Sequence, residues 1–326
     1  MRVVITGGAG FLGQHLARAL LARGHLVDGD GNEREIDELV LFDRAAPVAP
    51  DDARVRVVVG DVADAPCVAD LIGEPTASVF HLAAVVSAAA EADFDLGMRV
   101  NLGGTRNVLE ACRALARPPR LVFASSIATY GGELPEVVRD DTPQAPETSY
   151  GAQKVMGEIL VNDMSRKGFV DGRSVRLPTI AVRPGKPNKA ASTWVSSMVR
   201  EPLSGVDVVC PVRPDSRMAC LGPRRAVDAM IRVHDLPAAA LGGRRSLLLP
   251  SISVTAGEIA EAVVRCAGDR PLGRILWEPD PDIQRIVDGW PRATRSARAS
   301  ALGIAADPDF DAIVRDFIES FIENDS

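Results

Sequence analysis

The first 23 residues run strand, glycine turn, helix, and few folds accommodate that order. Arg2-Val3-Val4-Ile5 is a short β-branched run, and Thr6-Gly7-Gly8-Ala9-Gly10-Phe11-Leu12-Gly13 is too rich in glycine to extend it. Residues 14–23 then carry Leu16, Leu20 and Leu21 on one side of a helical pattern. Gly7 permits a tight turn, Gly10 lets backbone approach a pyrophosphate, and Gly13 lets helix and strand pack closely. Phe11 and Leu12 open the helix whose N-terminus faces the phosphates. The context predicts a dinucleotide site.

Strand-like runs at residues 3–5, 39–42, 55–59, 78–82, 121–124 and 174–177 alternate with helical patterns. This predicts an α/β protein with a Rossmann-type doubly wound parallel sheet. A chain of 326 residues exceeds the usual compact domain, so a smaller, interleaved C-terminal substrate-binding domain is expected. We place the dinucleotide-binding domain at 1–182, with 217–243 returning to it, and the substrate-binding cap at 183–216 and 244–326. Pro-rich stretches at 183–188 and 210–214 set that boundary. Thr255 and Glu258 form a capping box at the start of a helix reaching about residue 266, and Ile313, Phe317, Ile318 and Phe321 stripe a last helix at 312–322. Residues 27–36 form a surface insertion. Asp28, Asp30 and Asn32 imitate a calcium loop, but Glu33 stands where its glycine belongs and Leu39 where its bidentate Glu belongs. No metal is expected.

Lys plus Arg number 37 against 44 Asp plus Glu, giving −7, and aromatic residues make up 4%. Such a surface neither tracks phosphates nor stacks bases, which excludes nucleic acid as a partner. No apolar run approaches the length of a membrane span and no signal-peptide pattern is present, so a cytoplasmic protein without membrane contact is expected. Cys67, Cys112, Cys210, Cys220 and Cys266 are scattered and odd in number, hence free thiols, mostly buried. Cys112 lies in a helical pattern without a nearby His, a poor setting for a nucleophile.

Asp43 ends the second sheet strand, where its carboxylate can accept hydrogen bonds from the adenosine ribose and repel a 2′-phosphate. NAD is therefore preferred over NADP, although the adjacent Arg44 leaves NADP some access. Asp61, followed by Val62, closes the third strand within reach of an adenine amino group. Tyr150 and Lys154, four apart, share one face of a helix. A tyrosine serves as a base near neutrality only when cationic charge stabilises its phenolate, which Lys154 supplies. Ser125 and Ser126 follow the strand at 121–124, at the sheet edge where ligands bind.

In these motifs the chain resembles the extended short-chain dehydrogenases/reductases of the epimerase/dehydratase superfamily. The resemblance rests on Thr6 to Gly13, Asp61-Val62, His81-Leu82-Ala83-Ala84, Asn101, Ser125-Ser126 and Tyr150 with Lys154. It implies that Tyr150, Lys154 and Ser126 are catalytic, and that Leu82, Ala83, Ala84, Asn101, Pro178, Thr179 and Ile180 line the cofactor. His81 reads as a packed core residue. Ile127 and Ala128 stand where the dehydratases carry Asp-Glu, so dehydration is not expected. Arg176-Leu177-Pro178-Thr179 lacks the Asn that touches a sugar diphosphate. Arg183 is expected to grip a carboxylate in two-pronged fashion, and Asn188, Ser87 and Ser125 to meet the rest of the substrate. Residues 93–101 and 168–173 are similar to the D-erythronate dehydrogenase branch, which oxidises a four-carbon sugar acid at C2. A nucleotide-sugar 4-epimerase using the same Ser, Tyr and Lys is the alternative, and a non-catalytic NAD sensor the second. The superfamily pairs through helices matching 104–115 and 150–166, which implies a homodimer.

Overall fold

The computed structural model describes residues 1–185 and 192–323. The chain folds as two compact units, Met1–Thr129 with Pro146–Arg176 and Val227–Leu247, and Tyr130–Ala145 with Leu177–Ala226 and Leu248–Ser326. Residues 130–145, 177–182 and 217–226 therefore belong with the second unit, and 244–247 with the first, which corrects the borders expected from sequence. Proline spacing does not record which sheet a short strand joins.

The first unit is built on a seven-stranded sheet: β1 (Arg2–Thr6), β2 (Glu38–Asp43), β3 (Val55–Val59), β4 (Thr76–His81), β5 (Arg120–Ser126), β6 (Asp171–Leu177) and β7 (Ser246–Leu248), in the order 7-6-5-4-1-2-3. β1 pairs in parallel with both β2 and β4, so the strand order reverses at its carboxyl end. That reversal opens the crevice where doubly wound sheets bind ligands. Helices cover both faces, and Val3, Val4, Ile5, Val40 and Leu41 are wholly buried, as central parallel strands require.

Helix α1 (Phe11–Arg23) buries Gly13, Leu16, Ala17 and Leu20 and stops at Gly24, whose φ of 77° places it in the left-handed region. Leu21, expected beside Leu16 and Leu20, is half-buried because it is rotated one residue off that stripe. Residues 27–36 hold more order than a loop. His25–Val27 and Glu33–Glu35 pair as an antiparallel hairpin, and Asp28 closes its turn by accepting the Asp30 and Asn32 amides at 3.0 Å each while pairing with Arg34.

Helix α5 (Pro223–Asp235) ends in the interior, where its last carbonyls need donors. Arg173, with no exposed surface, supplies Nη1 to the carbonyls of Val233, His234 and Leu236 at 3.0, 2.5 and 3.0 Å, and Arg120 bonds the His234 carbonyl at 3.0 Å. Asp171 pairs with Arg173 and Arg245. His234 itself lies 2.8 Å from Ser78 Oγ and 2.9 Å from Asp235, and its burial pulls its pKa down to about 4.

The second unit contains a three-stranded sheet, in which Arg217–Leu221 pairs with Ile252–Thr255 and Thr179–Ile180, and a short parallel pair, Val208–Cys210 with Ile275–Trp277. Helices Thr193–Leu203, Ala256–Cys266 and Phe310–Phe321 bury Trp194, Met198, Ile259, Val263, Ile313 and Phe317 in one core. The capping box forms as expected, with Thr255 N–H to Glu258 at 2.6 Å and the reciprocal bond at 3.1 Å. All five cysteines are free, and burial raises the Cys112 thiol far above its ordinary range. Among the described residues, no helix is long and apolar enough to cross a membrane.

Candidate active site

The glycine turn is held by close packing of backbone on backbone. A Cβ at Gly7 would lie 2.7 Å from the Ala83 nitrogen, and one at Gly13 would overlap the Gly7 carbonyl oxygen. Gly10 caps α1 without a side-chain hydrogen bond, and the first turn holds no acidic residue. The helix therefore presents amide donors and a positive dipole end, which fits a pyrophosphate; Phe11 and Leu12, both half-buried, flank it. Asp43 accepts the Ala9 amide at 3.1 Å through Oδ2, tying the end of β2 to the glycine turn and retaining lone pairs for a ribose hydroxyl. Asp61 accepts the Ala63 amide at 2.9 Å, and Val62 is buried where Gly104, opening α3 (Gly104–Arg113), leaves room for it.

Behind β4 the chain passes Leu82, Ala83 and Ala84, all half-buried. Thr6 fixes this segment by accepting Leu82 N–H at its carbonyl, at 3.0 Å, and Ala83 N–H at its hydroxyl oxygen, at 3.3 Å. His81 is clamped between Thr6 Oγ1 at 2.7 Å and Thr105 Oγ1 at 3.0 Å. Its burial pulls its pKa to about 3, so it is a neutral core residue. Asn101, expected at the cofactor, is buried on the π-helical turn Met98–Gly103. Its carbonyl oxygen accepts Val85 N–H at 2.7 Å, and its amide donates to the Val85 carbonyl at 2.9 Å and to Gln153 at 2.7 Å. Asn101 thus braces the chain at Val85, with both amide hydrogens engaged by protein. Ser87 opens α2 (Ser87–Ala92) and is half-buried.

Tyr150 and Lys154 stand on α4 (Ser149–Arg166), started by Thr148, whose side chain accepts Gly151 N–H. Two glycines bring this helix against β5 and the turn Ile127–Thr129 that follows it. A Cβ at Gly151 would overlap the Ala128 carbonyl, and one at Gly157 would lie 2.8 Å from the Phe123 ring. Lys154 is 3% exposed. Its Nζ donates to the Ala124 carbonyl at 2.7 Å and lies 4.7 Å from the Phe123 ring centre and 5.5 Å from that of Tyr150. Burial pulls its pKa down to about 7, opposed by the charge of Glu158. Ser126, half-buried, accepts Ala128 N–H at 3.1 Å. Ser125 is buried, its hydroxyl donating to Glu158 at 2.5 Å. Glu158 also takes Arg176 in a two-pronged pair, with Arg176 Nη2 at 2.7 Å. Sequence reasoning missed this pair, although a Glu four residues beyond Lys154 on one helix face was a visible signal.

In the second unit Pro178 is buried, Thr179 and Ile180 pair with Cys220 and Leu221, and Arg183 is half-buried. Arg183 donates its amide to Ser196 Oγ at 3.0 Å and its Nε to the Ile180 carbonyl at 3.3 Å, and its carbonyl accepts Arg200 at 2.8 Å. Asn188 lies outside the described residues.

The profile of the NAD dependent epimerase/dehydratase family matches residues 3–244. D-erythronate dehydrogenase from Cupriavidus necator is 53% identical over 98% of both chains, and the protein of the same description from Haemophilus influenzae is 46% identical over 98% of this chain and 99% of its own. The crystal structure of a nucleoside-diphosphate-sugar epimerase from Agrobacterium tumefaciens superimposes with a TM-score of 0.92 at 38% identity, covering 99% of this chain and 95% of that one.

Proposed function

Because the chain belongs to the NAD dependent epimerase/dehydratase family, we propose that it is an NAD-dependent dehydrogenase that oxidises D-erythronate to the 2-oxo acid. The likeness to D-erythronate dehydrogenases along nearly the whole chain carries this reading, and the arrangement of Tyr150, Lys154 and Ser126 supports it.

Gly7, Gly10, Phe11, Leu12 and Gly13 take the pyrophosphate of NAD, Asp43 the adenosine ribose in preference to a 2′-phosphate, and Asp61 with Val62 the adenine. Leu82, Ala83 and Ala84, with Pro178, Thr179 and Ile180, are assigned to the nicotinamide half. Bound NAD supplies the hydride acceptor. Tyr150 removes the proton of the C2 hydroxyl at its phenolic oxygen, and the Lys154 ammonium stabilises that phenolate. Ser126 donates to the reacting oxygen and holds it in line. Arg183 is assigned to the carboxylate, and Asn188 and Ser87 to substrate hydroxyls. We take the protein to act in the cytoplasm as a homodimer formed through α3 and α4; Ile159 of α4, 61% exposed, is an apolar side chain that a second copy would cover.

The test is NADH formation by the purified protein with NAD and a panel of four- to six-carbon aldonic acids. Turnover confined to D-erythronate or a near relative is the expected result. The likeness to a protein described as a nucleoside-diphosphate-sugar epimerase favours a second reading. Conversion of a nucleotide sugar without net NADH, and silence across the acids, would establish it and dissolve the carboxylate role of Arg183.

A further inference from the structure

We propose that Glu158, held by Arg176 and Ser125, is a positioning residue that keeps the proton on Lys154 Nζ and so sets the charge felt by Tyr150. The inference rests on the assignment of Tyr150 and Lys154 to proton transfer.

Tyr150, Lys154 and Glu158 occupy successive turns of α4 on one face. Glu158 has a side chain 4% exposed and Arg176 one 13% exposed. Its Oε1 accepts Ser125 Oγ at 2.5 Å and Arg176 Nε at 3.0 Å, and its Oε2 accepts Arg176 Nη2 at 2.7 Å. Two charges taken out of water this completely are a costly way to fill space, and hydrocarbon of the same volume often serves stability as well. Their position beside Lys154 gives them another use.

The groups facing Lys154 are few. Its own helix presents Tyr150 and Glu158, and β5 presents the Ala124 carbonyl, the Phe123 face and, through Glu158, Ser125. β4 presents His81, which burial keeps neutral, and β6 presents Arg176 behind Glu158. Glu158 is the one carboxylate that acts on Lys154 among the described residues. With Glu158 present the amine titrates at about 7; without it the buried amine loses the charge that opposes desolvation, its midpoint falls lower still, and at neutrality it no longer favours the Tyr150 phenolate. Arg176 moderates the effect, because a carboxylate already engaged attracts the ammonium without capturing it. Lys154 consequently stays bonded to Ala124, pointed along the helix toward Tyr150.

The composition allows a direct test. The chain has four lysines, Lys154, Lys167, Lys186 and Lys189, and two tyrosines, Tyr130 and Tyr150. Carbon-13 labelling at lysine Cε therefore gives four resonances, and their pH titration reads Lys154 without substrate or cofactor. In Glu158→Gln the Lys154 midpoint should fall by about one pH unit, and the acid limb of kcat/KM should move to higher pH. Glu158→Gln leaves the half-buried Arg176 charge without its carboxylate and destabilises the fold, so the double variant E158Q/R176Q accompanies it. There the unpaired charge is gone and the melting temperature should recover, while the Lys154 midpoint stays below that of the wild type. A midpoint unmoved in either variant, or one that recovers in step with stability, overturns the proposal. Wild-type protein that oxidises no acid would refute the dehydrogenase reading alone, because the NMR titration does not depend on turnover.

Discussion

Replacing Lys154 with Met removes a charge and leaves the volume nearly unchanged. The ammonium sits 5.5 Å from the Tyr150 ring centre. At an effective dielectric near 20, a unit charge at that separation stabilises a phenolate by about 3 kcal/mol, roughly two pH units or a hundredfold in phenolate population. Met makes no hydrogen bond to Ala124, but it also ends the desolvation of an amine that burial has already pulled down to about 7. The fold should survive, and kcat/KM, measured below neutrality where Lys154 is protonated, should fall about a hundredfold. The second readout is the ultraviolet titration of tyrosine. Tyr130, 3% exposed, serves as the internal control, and the phenolate signal of Tyr150 should appear about two pH units later than in the wild type. A variant within threefold of wild-type kcat/KM, with an unmoved Tyr150 titration, would refute the electrostatic role of Lys154.

Three further outcomes follow from the geometry. Unfolded His234 takes a proton near pH 6.5 but the folded residue waits until about 4, so its contribution is complete above pH 6.5 and is lost as pH falls, about 2 kcal/mol by pH 5 and about 3 by pH 4. Urea midpoints of His234→Gln, followed by circular dichroism, should decline less steeply over that window than those of the wild type; parallel curves would contradict this. Gly13→Ala drives a Cβ into the Gly7 carbonyl, and calorimetric NAD affinity should weaken at least about tenfold while the sheet stays folded; an unchanged Kd would free the glycine turn of that role. Arg183→Ala should raise KM for the acid about tenfold or more and leave NAD affinity intact, and an unaltered KM would send the carboxylate elsewhere.

The sheet and the glycine turn were legible because their signals are local. β-branched runs between helical stripes define strands buried on both faces, and Gly7, Gly10 and Gly13 stand where a side chain would strike backbone. Tyr150 and Lys154 were legible for the same reason, being one helix turn apart. What the sequence concealed depends on contacts between distant segments. Asn101 and Ser125 lie within the motifs, yet Val85, Gln153 and Glu158, between 16 and 52 residues away, engage their side chains. Arg120 and Arg173 read as polar residues inside apolar strands until α5 places its last carbonyls beside them. The hairpin at 25–35 was hidden differently: each strand is three residues long, Glu33-Arg34-Glu35 is wholly charged, and the Asp28 turn alone announces the pairing.

The chain has 37 basic residues, of which four are lysine, so arginine is its default cation, including at the buried positions 120 and 173 and the half-buried position 176. Each of those guanidiniums has a carboxylate and, at 120 and 173, helix carbonyls to receive its fixed set of donors. At 154 the structure offers Nζ one carbonyl, that of Ala124, and the face of Phe123. A compact ammonium can use that setting and its proton affinity shifts with it, whereas a guanidinium stays charged and brings five donors in a rigid fork. Lys154→Arg is therefore not conservative. It should destabilise the fold by about 3 kcal/mol or more, since most of its donors would be buried without acceptors, and it should lose more activity than Lys154→Met despite keeping the positive charge. Thermal melts and kcat/KM on the two variants decide the matter. An Lys154→Arg protein with wild-type stability and at least half its activity would show that charge alone, and not a tunable amine, is what this position requires.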